Sequence, residues 1–208
     1  MKRAALALQG ALRAHLAPEA ESPMQNLTGK ILIAMPGMQD PRFERSVVFL
    51  CEHSENGAMG LIVNKPTPEI DLSDLMDNLG IETEDDPETL TVHFGGPVDN
   101  GRGFVLHSPD YGENTSTLQV TDEVGMTATL DILEDIASGN GPEKAILALG
   151  YSGWGPGQLE SEFQANGWLV CDAGGDVVFH DNPDTKWTVA LKSMGVDAIA
   201  LSSEAGHA

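Results

Sequence analysis

Cys51 and His53 stand two residues apart in the apolar, β-branched stretch Val47-Val48-Phe49-Leu50-Cys51-Glu52-His53. On a regular strand, side chains two apart share a face, so a thiol and an imidazole could meet there as nucleophile and base. A hydrolase-type enzyme is the activity this spacing points to, although no third group that would orient the histidine is identifiable. The competing reading is a buried cysteine, acting as a small hydrophobe, next to a histidine at a strand end. His53, His93, His107 and His180 all fall in or at the ends of predicted strands, and imidazoles converging in a barrel mouth would bind a metal. No His-x-His or Cys-x-x-Cys pair accompanies them. We therefore expect dispersed histidines with structural or surface roles, no metal site and no cofactor.

A second group of candidates surrounds Gly150–Glu160, Gly-Tyr-Ser-Gly-Trp-Gly-Pro-Gly-Gln-Leu-Glu. Its glycines and proline predict special turn conformations rather than regular strand or helix, with Trp154 as an anchor. Ser152 invites comparison with a nucleophile elbow, but Gly-x-Ser-Gly departs from Gly-x-Ser-x-Gly and no partner histidine is placed. Glu160 and Glu162 could serve as acid or base, yet acids in a first helical turn also complement the helix dipole. Glycines at strand ends let main-chain N–H groups approach an anion or a peptide. If the two glycine-rich loops meet beside Asn64 and Pro66, then Gly95, Gly96, Pro97, Gly155 and Gly157 line one binding groove with Trp154 as its apolar wall. The alternative is a set of tight turns that closes the sheet, with Trp154 plugging the core.

Short elements must hold these residues. Lys30–Met35, Val47–His53 and Met59–Asn64 read as three strands, the last two joined by a hairpin at Asn56-Gly57. Asp71–Leu79 reads as a helix capped by Asp71 or Ser73 and stopped by Gly80. Thr83–Glu88 is an acidic loop. Leu90–Phe94, Gly103–Ser108 and Leu118–Val120 are strands. Val124, Ala128, Leu130, Ile132, Leu133 and Ile136 then predict the longest helix, begun by Thr121 or Asp122 and ended by Gly139. Ala145–Leu149 is a buried central strand, Gln158–Asn166 a helix closed by Gly167, and Trp168–Cys171 and Val177–Phe179 are strands. A last helix, capped by Asp184 or Thr185, turns Trp187, Ala190, Leu191 and Met194 inward.

Roughly eight or nine short strands with irregularly inserted helices give an α+β class: a strongly bent mixed or antiparallel sheet, a flattened pseudo-barrel with about four helices packed outside. No glycine-rich phosphate loop follows a strand in dinucleotide or P-loop spacing. Residues 24–208 form a single domain. Residues 1–23, alanine-rich with Lys2, Arg3 and Arg13, read as a flexible extension, and Met24 is an alternative start.

The 208 residues carry 11 Lys+Arg against 32 Asp+Glu, a formal net charge of −21. So acidic a chain repels a phosphate backbone wherever no basic patch forms, and its basic residues are scattered, which disfavours direct nucleic-acid binding. Cys51 and Cys171 both sit in apolar runs and make no disulfide framework, which indicates a reducing, cytoplasmic setting. No apolar run reaches the roughly 18 residues of a membrane-spanning helix.

Several ordered motifs carry a family resemblance: Leu27–Pro36, Asp40-Pro41-Arg42-Phe43, Ser46-Val47-Val48, His53, Gly57–Pro66, Gly95-Gly96-Pro97-Val98 and Gly150–Glu160. Over Leu27 to Val196 the chain resembles the bacterial YqgE/AlgH family, UPF0301, whose members are largely uncharacterised. The resemblance implies a pseudo-barrel α+β fold and a role in transcriptional regulation. It supplies no catalytic residues. Set beside the charge, it leads us to expect a non-enzymatic binding or regulatory protein acting through a protein or small-molecule partner, with a Cys51/His53 or histidine-metal hydrolase as the alternative.

Overall fold

The computed structural model describes residues 26–82, 90–111, 116–172 and 174–197. The N-terminal extension with Met24 and the acidic loop Thr83–Glu88 lie outside them. In chain order the elements are β1 (Lys30–Ala34), β2 (Val47–Ser54), β3 (Gly57–Ile62), α1 (Leu72–Leu79), β4 (Leu90–Phe94), β5 (Val98–His107), β6 (Thr117–Thr121) and β7 (Val124–Thr127). There follow α2 (Asp131–Ala137), β8 (Ala145–Trp154), α3 (Gln158–Gln164), β9 (Trp168–Asp172), α4 (Gly175–Val178) and α5 (Pro183–Ser193).

The strands run β6-β7-β5-β8-β3-β2-β1-β9, with β4 joined to β8 off this path. All pairings are antiparallel except β4 with β8, so the sheet is mixed. β8 holds it together. Its first half, Ala145–Leu149, lies between β4 and β5, while Ser152–Trp154 pairs with β3. Gly150 marks the change of partner at φ 71°, a left-handed conformation that a side chain would oppose. The glycine-rich stretch expected as turn is therefore strand as far as Trp154, bent at one residue.

Three layers of side chains explain the curl. Ile31, Ile33, Val47, Phe49, Leu61 and Val63 from one half of the sheet face Phe104, Leu106, Ile146 and Ala148 from the other, and Trp187, Ala190 and Leu191 of α5 close this interior. The opposite side of β1–β3 packs on Trp154, Leu159 and Trp168. The opposite side of β4, β5 and β8 packs on Met76 of α1 and on Ile132, Leu133 and Ile136 of α2. Each large aliphatic side chain so buried contributes roughly 1.5–3 kcal/mol. The class is α+β and the shape the expected bent sheet, with five helices among the described residues rather than about four.

Four local expectations are corrected. The predicted long helix divides: Val124 joins the interior as part of β7, paired with β6 and β5, and helix begins only at Asp131. The apolar residues at helical spacing thus belong to two different layers. Val177 and Val178 lie in a one-turn helix rather than a strand, both buried against α5. α5 is capped by Asn182, whose side chain accepts from the N–H groups of Asp184 and Thr185. Asn166, at φ 55°, takes the left-handed position after α3, ahead of Gly167.

Candidate functional site

β4 alternates. Leu90 and Val92 face the layer under α1 and α2, so Thr91 and His93 point to the other side, where β4 meets α4 and α5. There a cavity of about 680 Å³ is lined by Thr91, His93, Lys144, Ile146, Phe179, His180, Asp181 and Lys186, among others. That volume lies within the roughly 300–1,000 Å³ usual for small-molecule sites.

His93 is 3% exposed. Its Nδ1 lies 3.1 Å from the Thr91 carbonyl, which can only accept, so Nδ1 carries the proton. Nε2 is then a bare lone pair, buried and without a hydrogen-bond partner among the described residues. Burial lowers the imidazole pKa to about 4, with the charge of Lys186 adding to the effect and the Thr91 bond opposing it. At neutral pH this ring is an acceptor at Nε2.

Lys186 is 1% exposed, on the inner face of α5 with Trp187, Ala190 and Leu191. Its Nζ donates to the carbonyls of Val63 and Val178, each at 2.7 Å. An ammonium has three N–H donors, and the third meets no acceptor among the described residues. Burial lowers its pKa to about 8, with Asp181 pulling the other way. Both residues line the cavity and are almost fully buried, so its lining carries one desolvated donor and one desolvated acceptor with bonding capacity to spare. Its rim is mixed: Glu143, Asp176 and Asp181 are exposed acids, Lys144 is an exposed base, and His180 is half-buried.

The eight residues expected to form a groove lie elsewhere. Asn64 bridges a turn, its Oδ1 accepting from Val47 N–H at 2.7 Å and its Nδ2 donating to the Arg45 carbonyl at 2.9 Å. Pro66 is exposed and bridges to His93. Gly95 ties β3 to β8: its carbonyl accepts from Ile62 N–H at 2.9 Å and its N–H donates to Leu149 at 2.8 Å. A Cβ on Gly96 would overlap main-chain atoms of Tyr151 and Ser152, so this glycine is required by close packing. Pro97 is half-buried beside it. Trp154 is 6% exposed, tilted against Phe43 and edge-to-face with Trp168. Gly155 donates to Gln158 Oε1 at 3.0 Å, and exposed Gly157 starts α3 at φ 71°. None of the eight is among the residues lining the 680 Å³ cavity.

Cys51 and His53 do not share a face. The β2–β3 register shifts between Leu50 and Glu52, and this bulge reverses the alternation. Cys51 packs in the interior with Phe49, whereas His53 stands opposite Ala58, on the side of Trp154. The Cys51 thiol is 2% exposed, and burial pushes its pKa far above the ordinary value. The pair needed for a cysteine hydrolase is not assembled.

The four histidines separate as well. His93 and His180 line one cavity and His53 another, of about 480 Å³. His107 is fully buried, bonded to the Ser108 carbonyl and the Thr127 hydroxyl at 2.9 and 3.0 Å. No cluster of three or more potential metal-ligating His, Cys, Asp or Glu occurs among the described residues. His53 Nδ1 accepts from Leu27 N–H at 3.2 Å, so its Nε2 donates to Glu160 Oε1 at 2.9 Å. Glu162 accepts the indole N–H of both Trp154 and Trp168, at 2.9 and 2.7 Å. Ser152 is fully buried and donates to the Gly95 carbonyl at 3.3 Å.

Lys186 was visible in the sequence only as a scattered base. The overlooked signal is its spacing, four residues before Ala190 and next to Trp187, which puts a lysine on the apolar stripe of α5.

The family described as AlgH-like, DUF179, matches residues 31–199. A UPF0301 protein from Ruegeria pomeroyi is 60% identical over 184 residues, 88% of this chain and 100% of the relative. One from Paracoccus denitrificans is 56% identical over 185 residues, 88% and 97% of the two chains. The solution structure of the AlgH protein from Pseudomonas aeruginosa is similar at a TM-score of 0.72 and 40% identity, over 90% of this chain and 99% of that one. A protein from Corynebacterium diphtheriae shares the fold at a TM-score of 0.65 and 20% identity, over 80% and 86%. The chain belongs to the AlgH-like UPF0301 family.

Proposed function

We propose that this protein is a non-enzymatic binding protein with a regulatory role, that it takes a small polar molecule in the cavity between β4 and α5, and that it acts through a protein partner in the cytoplasm. The observation that carries the reading is the pairing of a bare His93 Nε2 with an incompletely bonded Lys186 ammonium in the lining of one cavity. A buried polar atom without a partner costs about 1–3 kcal/mol, and a ligand that satisfies both groups recovers this on binding. The regulatory part draws on the family resemblance. Action through a protein rather than nucleic acid draws on the net charge of −21. The free thiols of Cys51 and Cys171 suit a reducing compartment.

The test is retention. The purified full chain is incubated with the small-molecule fraction of a bacterial lysate, desalted, and the retained compounds are identified by mass spectrometry. A compound held by the wild type and reduced at least tenfold in Lys186→Met and in His93→Phe, with circular dichroism unchanged, supports the site. Equal retention by all three proteins, or none by the wild type, contradicts it.

A further inference from the structure

Resting on that reading of the cavity, we infer the chemical class of its occupant: a small molecule whose buried end is a neutral group that donates and accepts at once, a carboxamide or a hydroxyl. Charge decides against the alternatives. A simple anion would meet Lys186 favourably, but it would also face the bare lone pair of His93 and a rim on which Glu143, Asp176 and Asp181 outnumber Lys144. A simple cation would be drawn to those acids and to the lone pair, yet Lys186 is a desolvated positive charge in the same lining. The ammonium repels a cation most strongly where water is excluded, and an anion, which can only accept, leaves the His93 lone pair facing a second acceptor and without a donor.

A neutral donor–acceptor group fits both partners. Its oxygen accepts the third Lys186 N–H, and its own N–H or O–H bonds His93 Nε2. Neither protein group has to change protonation. The Lys186 bonds to Val63 and Val178 stay in place and hold the ammonium fixed. The acidic rim favours a cationic substituent at the outer end of such a ligand.

The experiment uses four defined probes on the full chain, acetamide, glycerol, acetate and glycinamide, and follows the side-chain nitrogen resonances of His93 by NMR at pH 7. The expected result is a saturable shift with acetamide, glycerol or both, which also tells amide from hydroxyl. Glycinamide should bind at least threefold more tightly than acetamide, and acetate should leave His93 unmoved. The shift should vanish in Lys186→Met, with the resonances of the folded protein otherwise preserved. Acetate binding as strongly as acetamide, or no response of His93 to either neutral probe, overturns the assignment. The two claims fail separately: a lysate compound retained through Lys186 and His93 that proves to be a carboxylate or phosphate refutes the class and leaves the site standing, whereas absence of any retained compound removes the site itself.

Discussion

Lys186 Nζ, on α5, donates to the main-chain carbonyl of Val63 at 2.7 Å, across 123 residues of sequence. With its second bond to Val178, this one ammonium fastens the end of β3 to both α4 and α5. It also lines the cavity that His93 of β4 lines.

That position makes stability depend on pH in the alkaline range. Lys186 has a folded pKa of about 8 against an ordinary 10.5, so between these values the folded protein binds fewer protons than the unfolded chain. Stability then rises with pH. Relative to Lys186→Met, the wild type should gain up to about 3 kcal/mol from pH 8 to 10.5 in urea denaturation. A difference that stays constant across this range would mean the ammonium is solvated.

The acid limb belongs to His93. Its folded pKa of about 4 lies below the ordinary 6.5, so its contribution is fully present above pH 6.5 and is lost as the pH falls toward 4. Against His93→Phe, the wild type should lose up to about 3 kcal/mol across that interval. Parallel denaturation series at pH 7 and pH 4.5 measure it.

Gly96 offers a steric test. Gly96→Val forces a side chain into the backbone at Tyr151 and Ser152 and should cost about 3 kcal/mol or more. Gly101→Ala, with open space around it, should stay within about 0.5 kcal/mol of the wild type. Thermal unfolding of the two variants side by side decides whether the loop is held by packing.

Glu162 accepts two indole N–H groups. Glu162→Ala leaves both donors unpaired and should destabilise by about 2–3 kcal/mol, with a red shift in tryptophan emission. Glu162→Gln keeps a carbonyl acceptor and should retain most of the stability.

Much of the scaffold was legible because local chemistry and tertiary structure agree. Asp71 and Gly80 bracket α1 as their cap preferences require, and Ala145–Leu149 is the central strand its apolar run indicates. Trp154 is buried, as an aromatic among glycines suggests. The caps at Asn182 and Asn166 are local shifts of a residue or two, whereas the failures that misplace whole side chains share one cause, long-range pairing. Val124 to Ile136 satisfies helical spacing, yet β5 and β6 claim Val124–Thr127 for the sheet. The bulge between Leu50 and Glu52 inverts the side of His53, and nothing in the local sequence announces it. The cavity was hidden for the same reason: His93 and Lys186 are far apart in the chain, and only the β4–β8 pairing and the docking of α5 bring them to one space.

The central claim is that this space receives a polar molecule, and the nitrogen resonance of His93 Nε2 tests it most directly. At pH 7 this nitrogen should give the signal of an unprotonated, unbonded imidazole nitrogen, which moves upfield and saturates when the small-molecule fraction of a bacterial lysate is titrated into the full chain. The same titration of Lys186→Met should leave that signal where it began. An Nε2 resonance that stays fixed in the wild type through the whole titration would mean that the cavity receives no such molecule.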